Sequence, residues 1–251
     1  MSRHKNTKRP LGRAPIAGTR ALALAGFLTS LACGRASGGS PAPAHVPPAA
    51  LELRVPRTGG PVKIDAELEG KRLWEADTGT TRNFVDGAGH GMVPYTEAKA
   101  RWGDGKLYLM LYAGDLDLEG SVREPDGDVE HDDAFHIELG DPDDVRVISV
   151  SVLGTVADAR CRGPATARTC DRAWQSHAEV AVDRDGTLNK LGDNDEEWVV
   201  EMALPLAALG VANPDAGARL PFSIRRCEVA RAGKRACGGW GAATPGQLVL
   251  D

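Results

Sequence analysis

The chain has 251 residues, of which 42% are hydrophobic, and its 30 Lys and Arg against 35 Asp and Glu give a formal net charge of −5. This length allows one large β domain or two small ones. Residues 1–32 hold six Lys and Arg and no Asp or Glu, so a chain without them carries a formal net charge of −11. Such an acidic domain repels nucleic-acid phosphates and anionic lipid head groups, and we expect no nucleic-acid partner. Its charge permits neutral sugars, cations and basic proteins.

The N-terminus is organised like an export signal. A basic segment precedes the apolar run 21–28, and roughly ten apolar residues are too few to span a membrane as a helix. The segment Ser30-Leu31-Ala32-Cys33-Gly34 resembles a bacterial lipobox, although Ser30 stands where Leu is expected. We predict an export signal over residues 1–32 and lipidation of Cys33, which would give an outer-membrane or cell-surface lipoprotein held to the membrane by its lipid alone. The alternative is a periplasmic or secreted protein cleaved within residues 32–44.

A change in composition separates the leader from the folded domain. Residues 34–50 are Gly, Ser, Ala and Pro almost throughout. Such a segment cannot bury enough apolar surface to offset the entropy cost of ordering it. We therefore predict a tether over residues 33–50 and a single folded domain over residues 51–251, which is long enough for a two-layer β core.

The folded domain consists of short strand patterns bounded by turns. The segment Gly103-Asp104-Gly105-Lys106 is a hairpin turn signal. Residues 71–74 predict a helical turn that carries Trp74 inward, and residues 205–210 predict one closed by Gly210. About ten strands without a βαβ rhythm predict an all-β fold, an antiparallel, jelly-roll-like β-sandwich with one short helical turn. The strand patterns lie at 51–55, 62–64, 97–102, 107–113, 135–139, 145–153, 177–182, 197–203, 222–229 and 247–250.

Four cysteines remain if Cys33 is lipidated. An even number in an exported chain indicates two disulfides, and four cysteines allow three pairings. We favour Cys161–Cys170 and Cys227–Cys237, because each close pair brackets a short, polar, Arg-rich segment. A zinc site is the alternative, but no Cys-x-x-Cys or Cys-x-x-His spacing supports it.

Four blocks follow one another in a set order along this domain. The first is Ile64-Asp65-Ala66-Glu67-Leu68 with Trp74, and the second runs from Ala100-Arg101-Trp102 into Leu107-Tyr108-Leu109. The third is the strand 132–139, and the fourth, 197–210, contains a Trp-x-x-Glu-x-x-x-Pro turn pattern. Together they resemble the family 9 carbohydrate-binding module, a secreted, DOMON-like β-sandwich without catalytic residues. The resemblance covers residues 62–250 and departs at Ala66, which stands where the family has Gly.

The resemblance also implies a place for a sugar. In sugar-binding members one aromatic side chain lies just before the third block and a second lies in the last loop, where they stack on a pyranose ring. Here Glu130 occupies the first aromatic position and His136 that of a carboxylate. Trp240 is the aromatic residue of the last loop, and Arg226 lies where many relatives carry Arg. We expect Trp240 to stack on the sugar while Glu130, His136 and Arg226 contact its hydroxyls. Trp74, Trp102 and Trp198 are expected in the core.

The acidic loop before the third block is a candidate calcium site. Asp126, Asp128 and Asp132 supply the hard oxygen ligands that Ca²⁺ prefers, and members of the resembled family carry structural calcium. The spacing matches no EF-hand, and the alternative is a solvated acidic loop. We expect no other cofactor. A haem held by His90 and Met92, as in related sandwich domains, is a further alternative.

These patterns lead to a binding protein rather than an enzyme. The sequence has no Gly-x-Ser-x-Gly, no His-Glu-x-x-His, no phosphate-binding loop and no haem-attachment motif. We predict a monomer that binds a polysaccharide or oligosaccharide at the cell surface and supports polysaccharide degradation by other proteins. The alternative is a surface structural or protein-interaction module that kept the sandwich and lost the sugar site.

Overall fold

The computed structural model describes residues 51–69, 71–92, 94–190, 192–230 and 234–251. The predicted export signal, Cys33 and the predicted tether lie outside these residues. In the described part of the chain, no helix is long and apolar enough to cross a membrane. A single α-helical turn, α1 (Arg72–Glu75), and a 3-10 turn, Val129–His131, accompany the strands. The strands are β1 (Glu52–Val55), β2 (Thr80–Thr81), β3 (Thr96–Gly103), β4 (Lys106–Gly114), β5 (Ala134–Asp141), β6 (Asp144–Ser151), β7 (Val156–Arg162), β8 (Thr169–Asp171), β9 (Glu179–Asp185), β10 (Glu197–Pro205), β11 (Arg219–Ala230), β12 (Lys234–Trp240) and β13 (Gly246–Leu250).

The strands form two sheets, as the sequence predicted. The eight-stranded sheet has the order β1-β13-β11-β5-β6-β7-β8, with β12 paired to the second half of β11. The five-stranded sheet has the order β2-β3-β4-β10-β9. The strand pairs are antiparallel except for β1 and β13, which run parallel. The predicted all-β sandwich is confirmed.

The core lies between the two sheets and follows the alternation of the strands. On β5, Phe135, Ile137 and Leu139 point inward, and so do Leu107, Leu109 and Leu111 on β4. Trp102 and Trp198 are fully buried in the same core, as predicted. Because side chains alternate across a strand, the residues between these positions point out of the sandwich. That parity decides which polar side chains share an outer surface.

The β3–β4 hairpin forms at the predicted turn. Gly103 pairs with Lys106, and the two central residues, Asp104 and Gly105, have φ values of +49° and +71°. Two positive φ values are typical of the type I′ turn, whose twist matches that of the flanking strands. Asp and Gly tolerate this conformation, so the local sequence specifies the turn.

Part of the outer face of the five-stranded sheet is covered by residues 62–69 and 71–76, which include α1. Trp74 packs there against Tyr108 and Met110, so its predicted burial is confirmed. The carboxylate of Glu201, on β10, is fully buried and accepts hydrogen bonds from Asp65 N (3.0 Å), Ala66 N (3.0 Å) and Trp74 Nε1 (2.8 Å). One side chain of the fourth block thus holds the first block in place.

The segment after β10 differs from its predicted form. Residues 205–210 were expected to make one helical turn, but they form a succession of tight turns. Ala208 N donates to Pro205 O (3.0 Å) and Gly210 N donates to Ala207 O (3.1 Å), which are three-residue steps, and the four-residue step from Leu209 N to Pro205 O is longer, at 3.4 Å. Gly210 ends the segment at φ +90°, as expected for its glycine.

Both favoured disulfides are present. Cys161–Cys170 joins β7 to β8, and Cys227–Cys237 joins β11 to β12. In each case the two residues lie directly opposite each other in the antiparallel register. The pairing predicted from the short spacings is confirmed.

Candidate functional site

The outer face of the eight-stranded sheet carries a pocket. Its floor consists of outward-pointing residues of adjacent strands, Val147 and Ser149 on β6 and Ala157 and Ala159 on β7. Three of these side chains are small, which leaves a hollow of about 290 Å³ above the sheet. We call it the outer-face pocket. Cavities of a few hundred cubic ångströms suit small ligands.

The walls of the outer-face pocket are polar. The 3-10 turn and the residues just before it form one wall, and the Cys161–Cys170 disulfide with Arg168 and Arg172 forms another. Arg168 lies 3.7 Å from Glu138 across the floor. Carboxylates therefore line one side and guanidinium groups the other. No aromatic ring lines the pocket among the described residues.

A group of four side chains adjoins the pocket: Glu130, His136, Arg225 and Arg235, which we call the charged cluster. Glu130 Oε1 lies 3.6 Å from His136 Nδ1 and 3.4 Å from Arg225 Nη2, and its Oε2 lies 2.5 Å from Arg235 Nη2. His136 Nδ1 lies 2.8 Å from Ser149 Oγ on the pocket floor. Two of the four predicted sugar contacts, Glu130 and His136, are thus brought together, but His136 is 4% exposed, which corrects the prediction that it contacts the sugar directly.

The charged cluster has a defined protonation state. Although burial raises the pKa of Glu130, the interactions with His136 and the two arginines outweigh it, and the net pKa lies below the usual range. Burial, helped by the arginines, lowers the pKa of His136 despite Glu130. Arg235 donates to His136 Nε2 (3.3 Å), because a guanidinium has no acceptor, so Nδ1 carries the proton. At neutral pH the cluster presents a carboxylate, a neutral imidazole and two cations.

Trp240 does not belong to this surface, which corrects the prediction that it stacks on a ligand. The ring is 3% exposed, and its centroid lies 5.7 Å from that of Phe222 in the core. A Cβ on Gly246 would come within 2.4 Å of Trp240 Cη2, so the glycine leaves the space that the indole fills. Trp240 pairs with Ile224, whose inward direction it shares. The glycines around Trp240 suggested an exposed loop, whereas Gly238 and Gly239 belong to strand β12, which ends at Trp240.

The prediction that Arg226 contacts the sugar is also wrong, and the arginine on the outer surface is its neighbour, Arg225. Arg226 is fully buried inside the sandwich, where its Nη2 lies 3.1 Å from Asp115 Oδ2 and 3.4 Å from Glu228 Oε2. Arg225, its neighbour, points outward and joins the charged cluster. Alternation in the sequence already indicates that Arg226 points inward, because Arg226 has the same parity along β11 as the core residues Phe222 and Ile224. Arg235 had no such signal, since only the β11–β12 hairpin brings it to His136.

The three predicted calcium ligands lie apart and are engaged by the protein. Asp132 accepts hydrogen bonds from Ser121 N (2.8 Å), Ser121 Oγ (3.0 Å) and Val122 N (3.0 Å). Asp128 caps the 3-10 turn through Glu130 N, and Asp126 accepts from Gln175 Nε2 (3.1 Å). Over the described ranges, no group of three or more His, Cys, Asp or Glu could hold a metal ion. The structure therefore gives these carboxylates capping and bridging roles.

The suggested haem ligands are not arranged as an axial pair. His90 is exposed and lies 3.3 Å from Asp86, while Met92 packs against the core. A Cβ on Gly238 would meet Met92 Cγ at 2.4 Å, so Met92 fills a place made by a glycine.

Asp133, beside the acidic loop, makes stability depend on pH. Burial and the nearby Asp115 raise its pKa to about 8 from a usual 3.8, although it accepts hydrogen bonds from Glu119 N and Val229 N. Between these values the folded state binds more protons than the unfolded state, so the free energy of unfolding falls as pH rises. The lowered pKa of His136 has the opposite effect, but only below its usual value of 6.5.

We therefore expect the free energy of unfolding to decrease between pH 6.5 and pH 8, by about 2 kcal/mol at roughly 1.4 kcal/mol per pH unit. Urea unfolding of the protein at several pH values measures how the free energy of unfolding changes with pH. Asp133→Asn should flatten this dependence whatever its effect on absolute stability. A free energy of unfolding that stays level or rises over this interval would contradict the assignment.

Solved structures of carbohydrate-binding modules superpose on this chain. A candidate carbohydrate-binding protein from Bacteroides uniformis superposes with a TM-score of 0.57 at 13% identity, over 81% of this chain and 100% of that one. A family 9 carbohydrate-binding module from Caldicellulosiruptor kristjanssonii in complex with glucose superposes with a TM-score of 0.52 at 16% identity, over 79% and 95%. This chain therefore shares the β-sandwich fold of these two structures. A family 9 carbohydrate-binding module from the same organism, in complex with cellotriose, gives a TM-score of 0.50 at 16% identity, over 80% and 93%.

Sequence comparison adds nothing to this likeness. No protein-family model matches the chain, and no curated protein matches it. At 13–16% identity the carbohydrate-binding-module fold is shared while the side chains of any site are free to differ. The ligand of this chain therefore depends on the side chains of its own outer-face pocket and charged cluster.

Proposed function

We propose that this protein is a non-catalytic carbohydrate-binding protein whose sugar site is the outer-face pocket with the charged cluster. The observation that carries the proposal is a group of partly exposed charged side chains, Glu130, Arg225 and Arg235, which meet beside a small pocket on a β-sandwich like that of carbohydrate-binding modules. The two neighbours from Caldicellulosiruptor kristjanssonii bind glucose and cellotriose, which supports a sugar as the ligand class.

The chemistry of the site suits polyhydroxylated ligands. A carboxylate accepts hydrogen bonds from adjacent hydroxyls and a guanidinium donates to them, so Glu130 and the two arginines can contact a sugar directly. His136 and Ser149 are buried and act by holding these groups in place. Such groups fix the orientation of a sugar while small floor residues leave room for its ring. Because the described lining contains no aromatic side chain, recognition here depends on polar contacts rather than on stacking.

The broader role rests on the sequence. The export signal, the tether and Cys33 support a lipoprotein that holds a polysaccharide or oligosaccharide near the cell surface, where degradation is carried out by other proteins. A carbohydrate-binding module of this kind concentrates substrate and does not cleave it. A monomer is sufficient, because the pocket and the cluster are built within one chain.

The decisive experiment is calorimetric titration of the mature protein with a panel of oligosaccharides that includes glucose and cellotriose. We expect at least one panel sugar to bind, and Glu130→Gln to weaken that binding by at least about tenfold, since a charged hydrogen-bond acceptor contributes about 1.5–3 kcal/mol. Arg54→Gln, at an exposed position of β1, is the control and should bind like the wild type. A chelator tests the prediction that Asp126, Asp128 and Asp132 bind calcium. If they do, the chelator should lower the sugar affinity or the stability of the protein.

Failure to bind any sugar would contradict the proposal. The result would instead favour the surface structural or protein-interaction module, in which the same charged residues contact a protein partner. Equal binding by the wild type and by Glu130→Gln would place the sugar outside the outer-face pocket.

A further inference from the structure

An aromatic side chain is exposed on the side of the sandwich opposite the outer-face pocket. Among the described aromatic residues, Tyr95 is the one that is largely exposed, at 50%. It precedes β3, and its ring centroid lies 5.8 Å from that of Tyr112, on β4, with the two planes at 62°. Tyr112 is half-buried at the edge of the apolar cluster that lies under the segment 62–76. We call these two residues the tyrosine platform.

The ring of Tyr95 is held in a fixed position. Its hydroxyl donates to Glu97 Oε2 (2.7 Å) and accepts from Arg82 Nε (2.8 Å). Arg82 Nη2 in turn donates to Asp77 Oδ1 (2.7 Å). Because the protein engages the hydroxyl both as a donor and as an acceptor, the ring itself is what Tyr95 offers to a ligand. The edge contact with Tyr112 further restricts its rotation.

We propose that the tyrosine platform is a second sugar site, where a pyranose ring stacks on Tyr95 while the exposed Arg82 and Asp77 contact its hydroxyls. The apolar C–H face of a sugar matches an exposed aromatic ring, and guanidinium and carboxylate groups match adjacent hydroxyls. The proposal shares the ligand class of the proposed function, and rests on it only in that respect. The ring of Tyr95 supplies a stacking contact, which no described residue lining the outer-face pocket provides.

Two sites on opposite faces would change how the protein binds polymers. The platform lies on the outer face of the five-stranded sheet and the pocket on the outer face of the eight-stranded sheet. A single polysaccharide molecule does not need to reach both sites. Two polysaccharide molecules can each occupy one face, and the protein then cross-links them. Joint engagement raises avidity well above either single affinity.

The test uses the full mature protein and ¹⁵N–¹H spectra with assigned backbone amides. The probes are cellotriose and the methyl β-glycosides of glucose, galactose, mannose, xylose and N-acetylglucosamine. We expect at least one probe to shift the amides of Tyr95 and Tyr112 in a saturable way. Tyr95→Ala should weaken that binding by about tenfold, whereas Tyr95→Phe, which keeps the ring, should stay within about threefold.

The two variants separate stacking from a structural role. If the hydroxyl network alone mattered, Tyr95→Phe would behave like Tyr95→Ala, and the inference would be wrong. The absence of shifts at Tyr95 and Tyr112 with every probe would also overturn it. Shifts confined to Glu130 and His136 would leave the proposed function standing without the platform. Shifts confined to the platform would contradict the assignment of the sugar site to the outer-face pocket and would support this inference.

Discussion

Glu201→Ala is expected to lower the free energy of unfolding by about 3–5 kcal/mol, the loss typical of breaking a buried ion pair. The substitution removes the acceptor for two backbone N–H groups and for the indole of Trp74, and it leaves Lys71 Nζ, 2.6 Å away in the wild type, without this partner. Buried donors that lose their partners keep the full cost of desolvation. The segment 62–76 should then separate from the five-stranded sheet.

Urea unfolding measures the loss, and hydrogen exchange locates it. We expect faster exchange over residues 62–76 while β5 and β11, in the other sheet, keep their protection. Ala66→Gly is the matched control in the same segment, because Ala66 is buried and has φ +58°. Removing its Cβ relieves a left-handed strain of about 1 kcal/mol, so this variant should be as stable as the wild type or slightly more stable. A loss below about 1 kcal/mol in Glu201→Ala would show that Glu201 is not the anchor.

Arg226→Met should also cost about 3–5 kcal/mol, because it leaves buried carboxylates without their cation. Arg226 and Asp115 are both fully buried, 3.1 Å apart, and Arg226 Nη1 also donates to Thr96 Oγ1 (3.0 Å). Burial already raises the pKa of Asp115, whereas Arg226 lowers it. Without Arg226 the carboxyl can become neutral by binding a proton, so the loss should be smaller at pH 5 than at pH 8.

Arg225→Met provides the comparison one residue away. The Arg225 side chain is 42% exposed and lies on the opposite face of the same strand. Its substitution should change the free energy of unfolding by about 0.5 kcal/mol or less, as surface substitutions do, but should weaken sugar binding at the charged cluster. Equal stability losses for the two variants would contradict the assignment of Arg226 to the interior.

Several features could be read from the sequence because they depend on neighbours in the chain. The β3–β4 turn follows from Asp104 and Gly105, which tolerate the positive φ values that the turn requires. The burial of Phe135 and Ile137 follows from alternation along one strand. The two disulfides follow from cysteines close enough to face each other across a hairpin. Applied strictly, alternation would also have turned Arg226 inward.

Other features could not be read because they depend on residues far apart in the chain. Trp240 looks exposed among its glycines, yet Gly238 and Gly239 lie close against other parts of the chain, and Gly246, from the next strand, leaves the room that the indole fills. The acidic loop looks like a metal site, yet Asp132 satisfies backbone N–H groups that only the folded loop presents to it. Arg235 reaches His136 from 99 positions away through the pairing of β12 with β11 and of β11 with β5.

The sequence by itself determined the sandwich, since its strands, turns and core residues are set by short-range periodicity and by which side chains avoid water. Tertiary structure alone decided where the polar surface chemistry lies. It buried Trp240 and Arg226, brought Glu130 to His136 and Arg235, and left Tyr95 exposed on the opposite face. The physical reason is that burial and charge pairing belong to the packed layers, whose register brings together residues that the chain keeps far apart.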